Sequence, residues 1–140
     1  MIKNLRGKTA HDASLIELFG LTPFMDKKLG NLSGGTKQKV NLVLTFMFDC
    51  PVLILDEPTT GLDPVSLIHL KEIINKEKAA GKTILITTHI MEFVEAMADE
   101  IVFLLEGEIY FKGTVDELKR KSNKEDLEHA IASLLTEKND

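Results

Sequence analysis

Val52-Leu53-Ile54-Leu55-Asp56-Glu57-Pro58 is the stretch that decides how the rest of this chain is read. Four apolar residues running into two acids suit a short strand of a parallel sheet, covered on both faces. The C-terminal end of such a strand is where open α/β sheets bind ligands. Two carboxylates in succession at the end of a buried strand are costly unless a cation or a reacting group uses them, so Asp56-Glu57 invites Mg2+. Strand alternation sends neighbouring side chains in different directions, so one acid can hold a metal's shell while the other reaches a water. An exposed strand-end acid pair with no such task is the plainer alternative.

Upstream, Leu32-Ser33-Gly34-Gly35 opens a helix expected from about Gly34 to Phe48, apolar enough for burial on most sides and stopped by Asp49-Cys50-Pro51. A helix start presents unpaired N–H groups and a positive dipole, and glycines let an anion approach, although a simple N-cap at Ser33 explains the same residues. Downstream, Asp63-Pro64 reads as an N-cap followed by proline at the first helical position, with Leu67, Leu70, Ile73 and Ile74 on one stripe and Gly81 closing the helix. Thr83 to Thr87 is a second buried strand leading to Thr88-His89, and Ile90 to Ala98 another helix. A lone histidine is more often structural than functional, which is the favoured reading of His89 taken by itself, and His11, His69 and His129 read as surface residues.

The flanks are less telling. Thr9 to Phe19 has helical spacing and ends at Gly20, while Ile101 to Leu105 and Glu108 to Lys112 flank Glu106-Gly107 as a hairpin. Ser122-Asn123-Lys124-Glu125 has capping-box form, ahead of a tail helix with Leu127, Ile131, Leu134 and Leu135 on one face. That helix is expected to pack on its own domain, with a dimerisation or regulatory helix as the alternative.

With 140 residues, 44% hydrophobic and 28% charged, the chain fits one globular domain or part of a larger one. A net charge of −5 argues against a nonspecific nucleic-acid surface, so no nucleic-acid partner is expected. One cysteine, Cys50, excludes an internal disulfide and suits a reducing compartment. No secretory signal opens the chain, and Leu42 to Leu55, broken by Asp49 and Pro51, falls short of the roughly 20 apolar residues of a membrane span.

Taken together, the motifs closely resemble the ATPase subunits of ATP-binding-cassette (ABC) transporters, over about Ala10 to Lys119. Leu32 to Gly35 matches the family's signature, Val52 to Asp56 its Walker B strand, Glu57 its catalytic glutamate, Thr60 to Asp63 its D-loop and His89 its switch histidine. Thr36 stands where glutamine is commonest. The resemblance implies ATP and Mg2+ as cofactors and a head-to-tail dimer with a second ATPase domain. In it, Asp56 binds the metal through water, Glu57 polarises the attacking water and His89 meets the γ-phosphate. Leu32, Ser33, Gly34 and Gly35 close on the partner's nucleotide, and Asp63 couples the two sites. Transmembrane permease subunits are the implied partners, placing the protein in the cytoplasm on the inner face of the membrane.

The sequence also departs from the family. The phosphate loop requires G-x-x-x-x-G-K-[ST], but Ile2 stands five residues before Gly7-Lys8-Thr9 and Lys76 five before Gly81-Lys82-Thr83, so neither qualifies. The single glutamine, Gln38, lies inside the signature rather than in a Q-loop before it, and the adenine-stacking aromatic is missing too. The expected fold is therefore α/β: a partial P-loop NTPase three-layer fold lacking the Walker A strand and the N-terminal β-subdomain. Its parts are a partial helical subdomain over residues 1–50, a core over 51–121 and a helical tail over 122–140. Without the Walker A strand between Thr83–Thr87 and Ile101–Leu105, the chain alone is expected to be marginally stable, or its sheet to show a gap or a non-native pairing. The chain reads as the C-terminal portion of an ABC ATPase, most like ATPases serving ABC-2-type exporters, with a narrower resemblance to those of copper-site maturation for nitrous oxide reductase. A noncatalytic or regulatory module and a nonfunctional fragment are the alternatives, and this stretch alone is expected to be inactive.

Overall fold

The computed structural model describes residues 12–137. Asp12–Leu18 (α1) is the described part of the helix expected from Thr9, whose first residues, with His11, lie outside that range. Gly20, with φ of 64°, turns the chain back so that Leu15, Phe19 and Leu21 are all buried. Two short 3-10 turns, Thr22–Phe24 and Leu29–Asn31, lead to helix α2, Gly34–Phe46. Ser33 caps it as expected: the Thr36 N–H donates to Ser33 Oγ at 3.2 Å. The helix ends at Phe46 rather than Phe48, and it buries one side through Leu42, Val43 and Phe46 while Val40 and Leu44 are only half-buried. Apolar density overstates its burial because part of the helix has no neighbour among the described residues.

Strand β1 (Val52–Asp56) pairs in parallel with β2 (Thr83–Thr87), from Val52 opposite Thr83 to Asp56 opposite Thr87. Between them runs helix α3, Pro64–Ala79, capped by Asp63 and burying Leu70, Ile73 and Ile74. Gly81, at φ of 81°, follows its C-terminus. Lys82 then pins the loop, reaching Asp49 at 2.8 Å and Glu77 at 2.5 Å, and these carboxylates raise its pKa above the ordinary lysine value. The expectation of strands covered on both faces is corrected here. Leu53 and Leu55 are 4% exposed, but Val52, Ile54 and Leu85, on the opposite face, are 54%, 67% and 56% exposed. Period-two alternation assigns each residue a face, and the described residues provide a layer for only one of them.

The chain divides into two compact units between Thr88 and His89. In the second unit, α4 (Met91–Met97) precedes the antiparallel pair β3 (Ile101–Leu105) and β4 (Glu108–Gly113). Glu106 and Gly107 both take positive φ, 51° and 80°, as a two-residue hairpin of matching twist requires. The strands thus form two separate two-stranded sheets, β1–β2 in the first unit and β3–β4 in the second.

The tail holds a second correction. The capping box lies not at Ser122–Glu125 but at Thr114 and Glu117, opening α5 (Val115–Ser122). Ser122 donates its hydroxyl to the Leu118 carbonyl at 2.9 Å, and Asn123, at φ of 53°, closes α5 in the left-handed conformation. Asp126 instead starts α6 (Leu127–Glu137), accepting from the His129 N–H at 2.8 Å. The tail helix packs within its unit, where Leu127, Ala130 and Leu134 form a core with Leu118. Glu95 on α4 fastens both tail helices, accepting from the Leu127 N–H at 3.0 Å and pairing with Lys119 at 2.6 Å. Among the described residues no helix is long and apolar enough to cross a membrane.

Candidate functional site

All but one of the residues picked out by sequence fall in the first unit, at the C-terminal end of β1 and the starts of α2 and α3. Asp56 ends β1 exposed, and the Thr87 hydroxyl across the strand pair donates to its Oδ1. Glu57 follows in the left-handed region, with φ of 44°, where a residue bearing a Cβ is held only if its surroundings over-determine it. Three hydrogen bonds do so. The Glu57 N–H donates to the Thr87 carbonyl at 2.9 Å, and the Glu57 carbonyl accepts from the Thr60 N–H and from Gln38 Nε2, each at 3.2 Å. The divergence of the two acids therefore comes from a backbone kink after the strand rather than from the strand's own alternation. The kink shuts Glu57 Oε2 off from solvent while Asp56 stays open.

At the other end of the site, Leu32 is buried and anchors the entry to α2, and Ser33 Oγ is engaged within the cap by Thr36, at 2.8 Å from its hydroxyl. The two glycines differ in kind. A Cβ on Gly34 would meet nothing within 4 Å, so this position is open to an approaching group; a Cβ on Gly35 would stand 2.4 Å from the Gly61 carbonyl oxygen. Gly35 is small because the helix packs against the loop after β1 in its own chain.

Asp63 caps α3, accepting from the Ser66 N–H and the Ser66 hydroxyl, each at 2.9 Å, and forms an ion pair with Lys39 at 2.6 Å. The hydrogen bond from Lys39, then those from Ser66, hold its carboxyl far below the ordinary value of 3.8. His89 is exposed and opens the second unit, two residues after β2. Three residues that sequence reasoning passed over take part: Thr87 on Asp56, Gln38 on Glu57 and Lys39 on Asp63. Gln38 and Lys39 could have been suspected from spacing, since three and four residues after Gly35 they share its helical face.

Two observations bear on what the site could hold. Among the described residues no cluster of three or more His, Cys, Asp or Glu could cage a metal. Mg2+ characteristically uses one or two carboxylates and completes its shell with water and substrate phosphates, so Asp56 alone at an open strand end fits that ion. Beside Asp56 the chain forms a cavity of only about 90 Å3, lined by Gln38, Asn41 and Ile54 among others. Small-molecule pockets run to roughly 300–1,000 Å3, and this cavity is smaller.

The α/β fold matches the P-loop nucleoside triphosphatase class. A family model described as "AAA domain, putative AbiEii toxin, Type IV TA system" matches residues 28–95. A solved structure titled "Structure of ATP binding subunit of ABC transporter" superposes with a TM-score of 0.84 at 34% identity, over 89% of this chain and 53% of that one. The ABC transporter ATP-binding protein NatA of Bacillus subtilis is 36% identical over 121 residues, 86% of this chain and 49% of the relative. The Nod factor export ATP-binding protein I of Burkholderia orbicola is 45% identical over 68% of this chain and 31% of its own length. Over the part it spans, the chain belongs to the ATP-binding subunits of ABC transporters. It covers about half or less of the length of the curated relatives it matches.

Proposed function

We propose that this chain supplies the signature, the Walker B carboxylates, the D-loop and the switch histidine of an ABC-type ATPase that couples ATP binding and hydrolysis to transport. The observation that carries the reading is the split between the two strand-end acids: Asp56 open beside Thr87, and Glu57 kinked away with one carboxylate oxygen buried. In this reading Asp56 holds Mg2+ through water and Glu57 orients the attacking water. His89 meets the γ-phosphate, and Ser33 and Gly34 face the nucleotide of a second ATPase domain. Leu32 and Gly35 serve by seating the helix, and Asp63 couples the two sites. Bound Mg2+ would neutralise phosphate charge, and positioning by the protein carries most of the remaining work of phosphoryl transfer.

Transmembrane permease subunits are the proposed partners, which would place the protein on the cytoplasmic face of the membrane. The export named for the Burkholderia relative supports the exporter side of the family. The test measures Mg-ATP binding and turnover by the purified chain, alone and with a full-length relative. No turnover alone is expected, together with a saturable change in the relative's rate that Gly34→Asp abolishes. Turnover by the chain alone that survives Glu57→Gln would overturn the reading.

A further inference from the structure

The start of α2 and the loop from Glu57 to Asp63 are joined at three places along one helical face. Gly35, Gln38 and Lys39 stand at i, i+3 and i+4, so they project on the same side of the helix. Gly35 lies against the Gly61 backbone, with room for no Cβ between them. Gln38 donates to the Glu57 carbonyl at 3.2 Å, and Lys39 pairs with Asp63 at 2.6 Å. The contacts therefore join one helical face to both ends and to the middle of the loop that carries the reactive acid.

We infer that Gln38 and Lys39 are positioning residues that make the N-terminal turns of α2 and residues 57–63 one rigid body. Gln38 acts through the Glu57 backbone. The left-handed conformation there needs outside support, and Gln38 is its side-chain contribution, beside the two main-chain bonds from Glu57 to Thr87 and from Thr60 to Glu57. Lys39 acts through Asp63, which also caps α3, so one carboxylate ties α2 to α3. The consequence for catalysis rests on the proposed ATPase reading. A nucleotide seated at Ser33 and Gly34 would displace Glu57 and Asp63 as a unit, linking the site served by the signature to the one served by the glutamate.

The clamp can be tested without nucleotide, so its failure is distinguishable from failure of the ATPase reading. In the full chain, amide exchange of Thr60 and Leu62, whose N–H groups bond the Glu57 and Thr59 carbonyls, is compared with that of Ile73 and Ile74 inside α3. Gln38→Glu, which keeps size but loses the donor, is expected to speed the loop amides about five- to tenfold, the factor for one lost hydrogen bond, with the α3 amides unmoved. Lys39→Met should raise the Asp63 carboxyl titration midpoint followed by 13C NMR, and Lys39→Arg should restore it. Glu57→Gly, which removes the need for left-handed support, should shrink the Gln38→Glu effect. Unchanged loop exchange, equal acceleration of loop and α3, or an Asp63 midpoint indifferent to Lys39→Met would overturn the proposal.

Discussion

Glu57 and Gly35 show how differently two neighbouring requirements act on single residues. Glu57 carries a side chain at φ of 44°, a conformation that glycine enters without the penalty of a Cβ. Among variants that lack the carboxylate, Glu57→Gly should therefore be more stable than Glu57→Ala by about 1 kcal/mol, read from urea midpoints at constant slope. Gly35 has the opposite problem. Gly35→Ala drives a methyl into the Gly61 carbonyl and should cost about 1–3 kcal/mol, whereas Gly34→Ala meets empty space and should be near neutral by the same measurement. Asp63 adds a pH signature. Its folded-state carboxyl is depressed by Lys39 and Ser66, so its contribution to stability is complete above about pH 3.8 and is lost as acid protonates the folded form. Residue type and spacing made Asp56, Glu57 and Asp63 legible from sequence. The left-handed turn at Glu57 was not, because glutamate has no preference for it and only the surrounding hydrogen bonds impose it.

Among the elements, helix and strand identities followed from period, and most ends followed from caps. Asp63-Pro64 opened α3 and Gly81 followed its end as the sequence indicated. The Ser122–Glu125 box misled, because a capping pattern states that a side chain can cap and not that the chain leaves the preceding helix there. Thr114 and Glu117 had won that role eight residues earlier. Thr114→Ala should accordingly lower stability by about 1 kcal/mol, while Ser122→Ala loses only a hydroxyl bonded back to its own helix. Glu95 is the element-scale fastener of the tail. Lys119, then the Leu127 N–H, hold its carboxyl below the ordinary value of 4.5, and a depressed acid stabilises above that pH and ceases to do so as pH falls through its folded-state pKa. The stability gap between the parent and Glu95→Gln should therefore be constant near neutrality and close below about pH 4.5, as denaturant midpoints across pH would show.

At the scale of the molecule, the open face of the first sheet is the dominant physical fact. Val52, Ile54 and Leu85 lie exposed on one surface of two strands whose other surface buries Leu53 and Leu55 and half-buries Ile84 and Ile86. Exposed apolar faces of this kind favour association. The chain should bind a hydrophobic dye and self-associate with rising concentration, and the pair Ile54→Thr, Leu85→Thr should reduce both without lowering the unfolding midpoint by more than about 0.5 kcal/mol. Sequence determined the order of elements, the acid pair, the helix caps at Ser33 and Asp63 and the family, because these depend on local period, capping chemistry and a motif order that reads along the chain. Tertiary structure decided which glycine is open and which is packed, that Gln38 and Lys39 grip the loop, and that β1 and β2 are covered on one face only. These depend on which surfaces meet across tens of residues, and side-chain pattern fixes which way a residue points without supplying the layer that covers it.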